Sequence, residues 1–270
     1  MKNSVLDKVN GLLDGVSKIK SVKAIGRTGD RNEPVMPGET DIDIFILVDE
    51  VPGYDERKTL YDSMRLLFEE CSMSVCEGGN WGTGDIFIID GVETMLMYFR
   101  IDETEGYLNE VLAGKYPDCE KGFYPIGRCA TFYGINVIYD EEKVLHNIKD
   151  KLFVYPEELR RRMVRHHLSH TLDEESFGRA IVRQDILFYH EVIEAAIDHY
   201  LQALIALNST YFPSRKRTRQ YIDGFRIKPD NCYERLLEVI RLGSVPKNIK
   251  KSSDIWHSLV DDLKSKADIG

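Results

Sequence analysis

The sequence predicts an α+β fold: a mixed sheet with flanking helices, followed by an all-α helical bundle. Three observations predict it. Strand-like and helix-like apolar runs alternate up to about Asp140. Two of the strands flank Asp90-Gly91, the preferred chemistry of a tight hairpin turn. Beyond Pro156 the periodicity is helical throughout. A chain of 270 residues suits two packed domains. The boundary is expected between Asp140 and Pro156, giving domains of residues 1–145 and 146–270.

Val5 to Ile19 carries apolar residues at helical spacing and reads as an opening amphipathic helix. Val22 to Ile25 is a short strand running into Gly26. Arg27 to Glu39, rich in Gly, Pro and charge, reads as a loop. Asp41 to Val48 (DIDIFILV) is a buried strand entered through alternating carboxylates, and Glu56 to Cys71 a second helix. Ile86–Ile89 and Val92–Ile101 are the arms of the hairpin, and Ile135–Tyr139 a later strand. Pro156 to Leu172 is helical, with Pro where its missing N–H costs nothing. Phe177 to Leu207 is expected as one long helix with a buried stripe of Leu187, Val192, Ala195, Ala196, His199, Leu204 and Ile205. Helices near Tyr233–Leu242 and Ser253–Lys264 close the chain.

A net charge of -9 argues against general nucleic-acid binding, which needs clustered Lys and Arg. It favours a metal or a cationic small molecule. The longest apolar runs are too short to cross a bilayer. The acidic residues of MKNSVLDKVNGLLDGV argue against a signal peptide. Five scattered cysteines without a CxxC pair suggest free thiols in a reducing cytoplasm.

The chemistry concentrates at Gly26-Arg27-Thr28-Gly29 and Asp41-Ile42-Asp43. Residues two apart on a strand face the same way, so Asp41 and Asp43 project together while Ile42 and Ile44 pack the other face. Two such carboxylates beside a Gly-containing turn suit Mg²⁺ shared with substrate phosphates. Gly26, Thr28 and Gly29 are the candidates to bring backbone N–H groups and a hydroxyl to phosphate oxygens.

This pattern resembles the nucleotidyltransferase superfamily that includes DNA polymerase beta and the kanamycin and lincosamide nucleotidyltransferases. Its members carry a Gly-Ser turn, a loop, Asp-x-Asp on a strand and a third carboxylate on a later strand. Here Thr28 stands in place of Ser, and the loop to Asp41 is long. Ile138-Tyr139-Asp140, Tyr155 to Leu159 and Leu207 to Lys216 resemble a bacterial and archaeal family of nucleotidyltransferase-like proteins that adds a C-terminal helical domain.

The resemblance implies metal-dependent transfer of a nucleoside monophosphate from an NTP, ATP by expectation, to a hydroxyl of a small-molecule acceptor. Asp41, Asp43 and Glu93 would hold the metal, with Asp85 and Asp90 as alternatives for the third carboxylate. Arg215 and Lys216, in the basic run ending at Arg219, would reach the β- and γ-phosphates; a solvated basic loop is the plain alternative. Glu191 or Glu194 would be the general base for the acceptor hydroxyl. The nucleotide and acceptor are expected in the cleft between the domains.

Two rival readings remain. One is a catalytically degenerate fold that binds a nucleotide or a protein partner. The other is an RNA-directed enzyme, either a tRNA nucleotidyltransferase or a ribonuclease using the Arg-x4-His spacing of Arg161–His166 and Arg162–His167; the charge opposes both. His166, His167 and His170 lack a fitting fourth ligand in the sequence, so no zinc site is expected at them.

Overall fold

A computed structural model describes residues 4–29 and 35–267; the middle of the Arg27–Glu39 loop, residues 30–34, lies outside the described residues. The chain forms two compact units, Met1–Asn109 with Thr131–Val154, and Glu110–Ala130 with Tyr155–Gly270. Residues 110–130, expected with the first domain, thus fold with the second unit.

In chain order the first unit begins with α1 (Ser4–Val16), β1 (Val22–Arg27), β2 (Asp41–Val48) and α2 (Tyr54–Ser63). It continues with β3 (Glu70–Cys76), β4 (Thr83–Ile89) and β5 (Val92–Arg100). Two helices run from one unit into the other, α3 (Ile101–Leu112) and α4 (Pro125–Gly134). Then come β6 (Asn136–Tyr139) and α5 (Val144–Leu152).

The six strands make one mixed sheet in the order β3-β4-β5-β2-β1-β6. β2 and β5 are parallel; every other neighbouring pair is antiparallel. The β4–β5 hairpin turns through Asp90 and Gly91, both at positive φ, as a twisted two-residue turn requires.

Alternation on the strands separates two faces. Ile42, Ile44, Ile46 and Val48 of β2 join Val92, Leu96 and Tyr98 of β5 in a core that also buries Val5, Val9, Leu12, Leu13 and Val16 of α1. On the other face Phe45 stacks on Phe99, with centroids 5.4 Å apart, and meets Phe132 edge-on.

The core face contains one fully buried ionic network. Arg57 donates to the Asp85 carboxylate and to the Ser74 hydroxyl. Asp85 also accepts from the Tyr61 hydroxyl at 2.8 Å and the Ser74 N–H at 2.9 Å. The Tyr61 and Tyr98 hydroxyls are 2.7 Å apart. Burial pushes both phenols well above their ordinary range.

The helix expected over Glu56–Cys71 ends at Ser63 and gives way to a turn of 3-10 helix and then β3. Arg65 donates to the carbonyls of Phe68 and Glu69, each at 2.7 Å, and so ties off the exit. Cys71 lies inside the β3–β4 ladder opposite Phe87.

The second unit holds α6 (Glu157–Leu168), α7 (Glu174–Arg183), α8 (Ile186–Leu207), α9 (Thr218–Gly224), α10 (Cys232–Gly243) and α11 (Ile249–Ala267). The single helix expected over Phe177–Leu207 is therefore two. Gln184 takes a left-handed φ of 51°, and Asp185 restarts the helix by accepting from the Phe188 N–H. The restart sets the buried stripe on Tyr189, Ile193, Ala196, Ile197, Tyr200, Leu201 and Leu204. Leu187 and Ala195, expected inside, are exposed.

Trp256 of α11 is wholly buried, donates to the Thr171 carbonyl at 2.9 Å and packs on Tyr200. Among the described residues no helix is long and apolar enough to cross a membrane.

Removing one partner of a buried ion pair strands the other charge. Asp85→Ala is expected to lower stability by about 3–5 kcal/mol in urea unfolding. Asp90→Asn, which weakens a partly exposed pair with Lys8, should cost no more than about 1 kcal/mol.

Candidate functional site

The parallel β2–β5 register sets Asp41 opposite Glu93 and Asp43 opposite Met95. Residues paired in a parallel ladder point to the same face, and so do residues two apart on one strand. Asp41, Asp43 and Glu93 therefore share the face away from the α1 core, at the end where β2 and β5 both begin. Asp41 and Glu93 are exposed and Asp43 is partly buried. No side-chain hydrogen bond or ion pair among the described residues engages Asp41 or Glu93.

The approach to this corner is shaped locally. The Thr40 hydroxyl accepts from the Met36 N–H at 2.8 Å and donates to the Met36 carbonyl, closing a turn just before Asp41. Pro37 in that turn lies against Gly91 of the hairpin.

Of the two alternatives for the third carboxylate, Asp85 is committed to Arg57 on the opposite face. Asp90 sits in the hairpin turn, paired with Lys8.

The glycine turn divides into two parts. Gly26 is buried inside β1, between Phe45 of β2 and Val137 of β6. A Cβ there would lie 2.6 Å from Ile135 Cδ1 and 3.1 Å from Leu145 Cδ1, so its lack of a side chain serves packing. Thr28 continues the β1–β2 ladder, donating its N–H to the Asp43 carbonyl at 3.1 Å. It is thus the cross-strand neighbour of Asp43. Gly29 is exposed with φ +83°, and its carbonyl accepts from Asn136 Nδ2 at 2.7 Å.

The remaining expected residues lie in the second unit. A cleft of about 580 Å³ there is lined by Asp118, Cys119, His190, Glu191, Glu194, Ala195, Asp198, His199 and Arg215. Arg215 is ion-paired with Glu194 at its wall. Glu191 is exposed in the cleft, and Lys216 is exposed just after Arg215. Asp198 accepts from Tyr124 and from Gln202 Nε2 at 2.9 Å. Burial and the Asp198 hydrogen bond push the Tyr124 phenol up.

The same unit gathers groups that sequence reasoning passed over. His199 looked like part of an apolar stripe, and Asp118 lies in the loop between α3 and α4, where no pattern marks it. Both stand beside His167, which is completely buried. Burial, then His199, pulls the His167 imidazole down to about 3. Burial and then His170 lower His199. Burial would raise Asp118, but the His166 hydrogen bond and the neighbouring imidazoles hold it below its ordinary value.

Residues 127–217 match the family model described as Domain of unknown function (DUF4037). No curated protein matches the sequence. Among solved structures, the chain is similar to a nucleotidyltransferase-like protein from Exiguobacterium sibiricum 255-15, at 11% identity over 96% of this chain and 77% of that one, with a TM-score of 0.39. It is also similar to spectinomycin adenyltransferase AAD(9) from Enterococcus faecialis, solved with ATP and spectinomycin, at 15% identity over 94% and 98% of the two chains, with a TM-score of 0.28.

The two glycines should respond differently to alanine. Gly26→Ala overpacks against Ile135 and should cost about 1–3 kcal/mol. Gly29→Ala meets no atom within 4 Å but strains a left-handed residue, at about 1–2 kcal/mol. Urea unfolding of the two variants checks the order.

Proposed function

We propose that this protein is a metal-dependent nucleotidyltransferase whose nucleotide site is the corner formed by Thr28, Gly29, Asp41, Asp43 and Glu93. The in-register pairing of Asp41 with Glu93, beside Asp43, is the observation that carries the reading. Three carboxylates on one sheet face offer only hard oxygen donors, the donor set Mg²⁺ prefers. Mg²⁺ held by Asp41, Asp43 and Glu93 would neutralise triphosphate oxygens.

The residues of the corner divide the work. The N–H groups of the Gly29 turn and the Thr28 hydroxyl would donate to phosphate oxygens. The apolar wall of Phe45, Phe99 and Met95 behind the carboxylates keeps that side of the corner dry and rigid.

The reaction is in-line. An acceptor hydroxyl oxygen attacks the α-phosphorus of the NTP, ATP by preference. The bond to the β-phosphate oxygen breaks, and pyrophosphate leaves with that electron pair. The hydroxyl proton passes to a general base. Glu191, Glu194, Asp198 and Asp118 give the cleft of the second unit a carboxylate-rich lining, which favours a cationic small molecule over nucleic acid as its ligand.

Calorimetric titration of ATP with and without Mg²⁺, followed by a pyrophosphate-release screen of cationic hydroxylated acceptors, tests the reading. Metal-dependent ATP binding is expected, lost in Asp41→Asn/Asp43→Asn. With an acceptor found, Asp41→Asn and Glu93→Gln should each slow release by about 100-fold or more at unchanged folding. Mg-ATP binding with no turnover on any acceptor would favour a nucleotide-binding regulatory module. Absence of ATP binding would overturn the site altogether.

A further inference from the structure

Six of the chain's seven histidines belong to the second unit, and four of them cluster together. His166 and His167 are on α6, His170 follows it, and His199 is on α8. Their rings are in contact: the His167 and His199 centroids are 5.2 Å apart, and His170 stacks on His199 at 5.0 Å. Asp118, from the loop between α3 and α4, joins them. One ligating atom from each of Asp118, His167 and His199 lies within 4.8 Å of the other two.

A seam between two helices is ordinarily filled by aliphatic side chains, because a buried polar atom without a partner costs about 1–3 kcal/mol. Here the α6–α8 seam holds a fully buried imidazole. His167 Nδ1 and His199 Nδ1 are 2.9 Å apart, a hydrogen bond whose donor is set by the tautomers. Among the described residues His167 Nε2 has no hydrogen-bond partner. A cation would replace the hydrogen bond and give the two imidazoles a common partner.

We propose that Asp118, His167 and His199 form a binding site for a single divalent transition ion of the Zn²⁺ class. Two imidazoles and one carboxylate are a donor set that such ions take and that Mg²⁺ does not prefer. Three protein ligands leave a further position for water or an exchangeable ligand. Asp118 and His199 both line the acidic cleft, which supplies the route of entry.

The surroundings fit. His166 Nε2 lies 2.6 Å from Asp118 Oδ1 and orients the carboxylate, as partners of metal ligands commonly do. The His170 ring fixes the plane of His199 by stacking. A bound ion would tie the 113–124 loop, which carries Asp118, to both α6 and α8. The site is separate in residues and chemistry from the oxygen-only corner of Asp41, Asp43 and Glu93, and does not depend on the proposed transferase activity.

Untagged full-length protein, stripped with a chelator, is titrated with Co²⁺ and followed by visible d–d absorption and thermal unfolding, with Zn²⁺ and Mg²⁺ as competitors. The expected result is one Co²⁺ per chain, displaced by Zn²⁺ but not by excess Mg²⁺, with a raised Tm. Asp118→Asn and His199→Gln, verified as folded by circular dichroism, should each weaken binding by at least about 10-fold. These positions are chosen because neither is fully buried, whereas a change at His167 would disturb the seam itself. Asp41→Asn/Asp43→Asn should bind Co²⁺ at this site as the wild type does. Absence of a Co²⁺ band, or undiminished affinity in both Asp118→Asn and His199→Gln, would overturn the assignment.

Discussion

The candidate site depends on one parallel strand pair in an otherwise antiparallel sheet. Because β2 and β5 run the same way, their first residues arrive at the same end, and the carboxylates of Asp41 and Glu93 become neighbours. The pairing tolerates no slip. Displacing β5 by one residue would turn Glu93 into the core and bring Thr94 out. Two sets of contacts hold the register. On one side Ile42, Ile44 and Ile46 mesh with Val92, Leu96 and Tyr98 over α1. On the other Phe45 is stacked on Phe99. The Asp85 network extends this control to β4, since Tyr61 bridges Asp85 and Tyr98. A buried carboxylate that the sequence offers as an alternative ligand thus helps position the exposed ones.

Much of this was legible in the sequence, because it is written in periods and turn chemistry. The DIDIFILV run shows both the strand and its carboxylate face, and Asp90-Gly91 shows the hairpin. Glu93 is named by its place on β5, but its nearness to Asp41 follows from long-range pairing, which no local pattern encodes. The misreadings have local causes. Arg65 holds the extended exit of a helix that apolar spacing alone would continue to Cys71. Gln184 and Asp185 break a helix whose flanks are both periodic. Gly26 resembles part of a phosphate turn, yet its bareness answers to Ile135, more than a hundred residues away. His199 keeps apolar company along α8, so its polar partners emerge only when α6 is laid beside it.

The two units offer contrasting ligand chemistries. The first presents oxygen donors at the edge of water, the kind a strongly hydrated ion prefers. The second presents two imidazoles and a carboxylate at a helix seam, a donor set of the kind transition ions take. Glu194 with Arg215, and Asp198 with Tyr124 and Gln202, give the wall of the adjoining cleft a fixed pattern of charge. Such a wall discriminates by charge placement more than by shape.

The chain passes between its units three times, at residues 109–110, 130–131 and 154–155. Neither unit is therefore a continuous stretch of gene. Recombination at a single crossover point cannot exchange one unit for a homologue's without also exchanging part of the other. The segment 110–130, which brings Asp118 and Tyr124 to the helical unit, is inherited between two pieces of the sheet unit. Variation in the two units is in this way genetically linked: a lineage that reshapes the carboxylate-lined cleft carries its own sheet along with it.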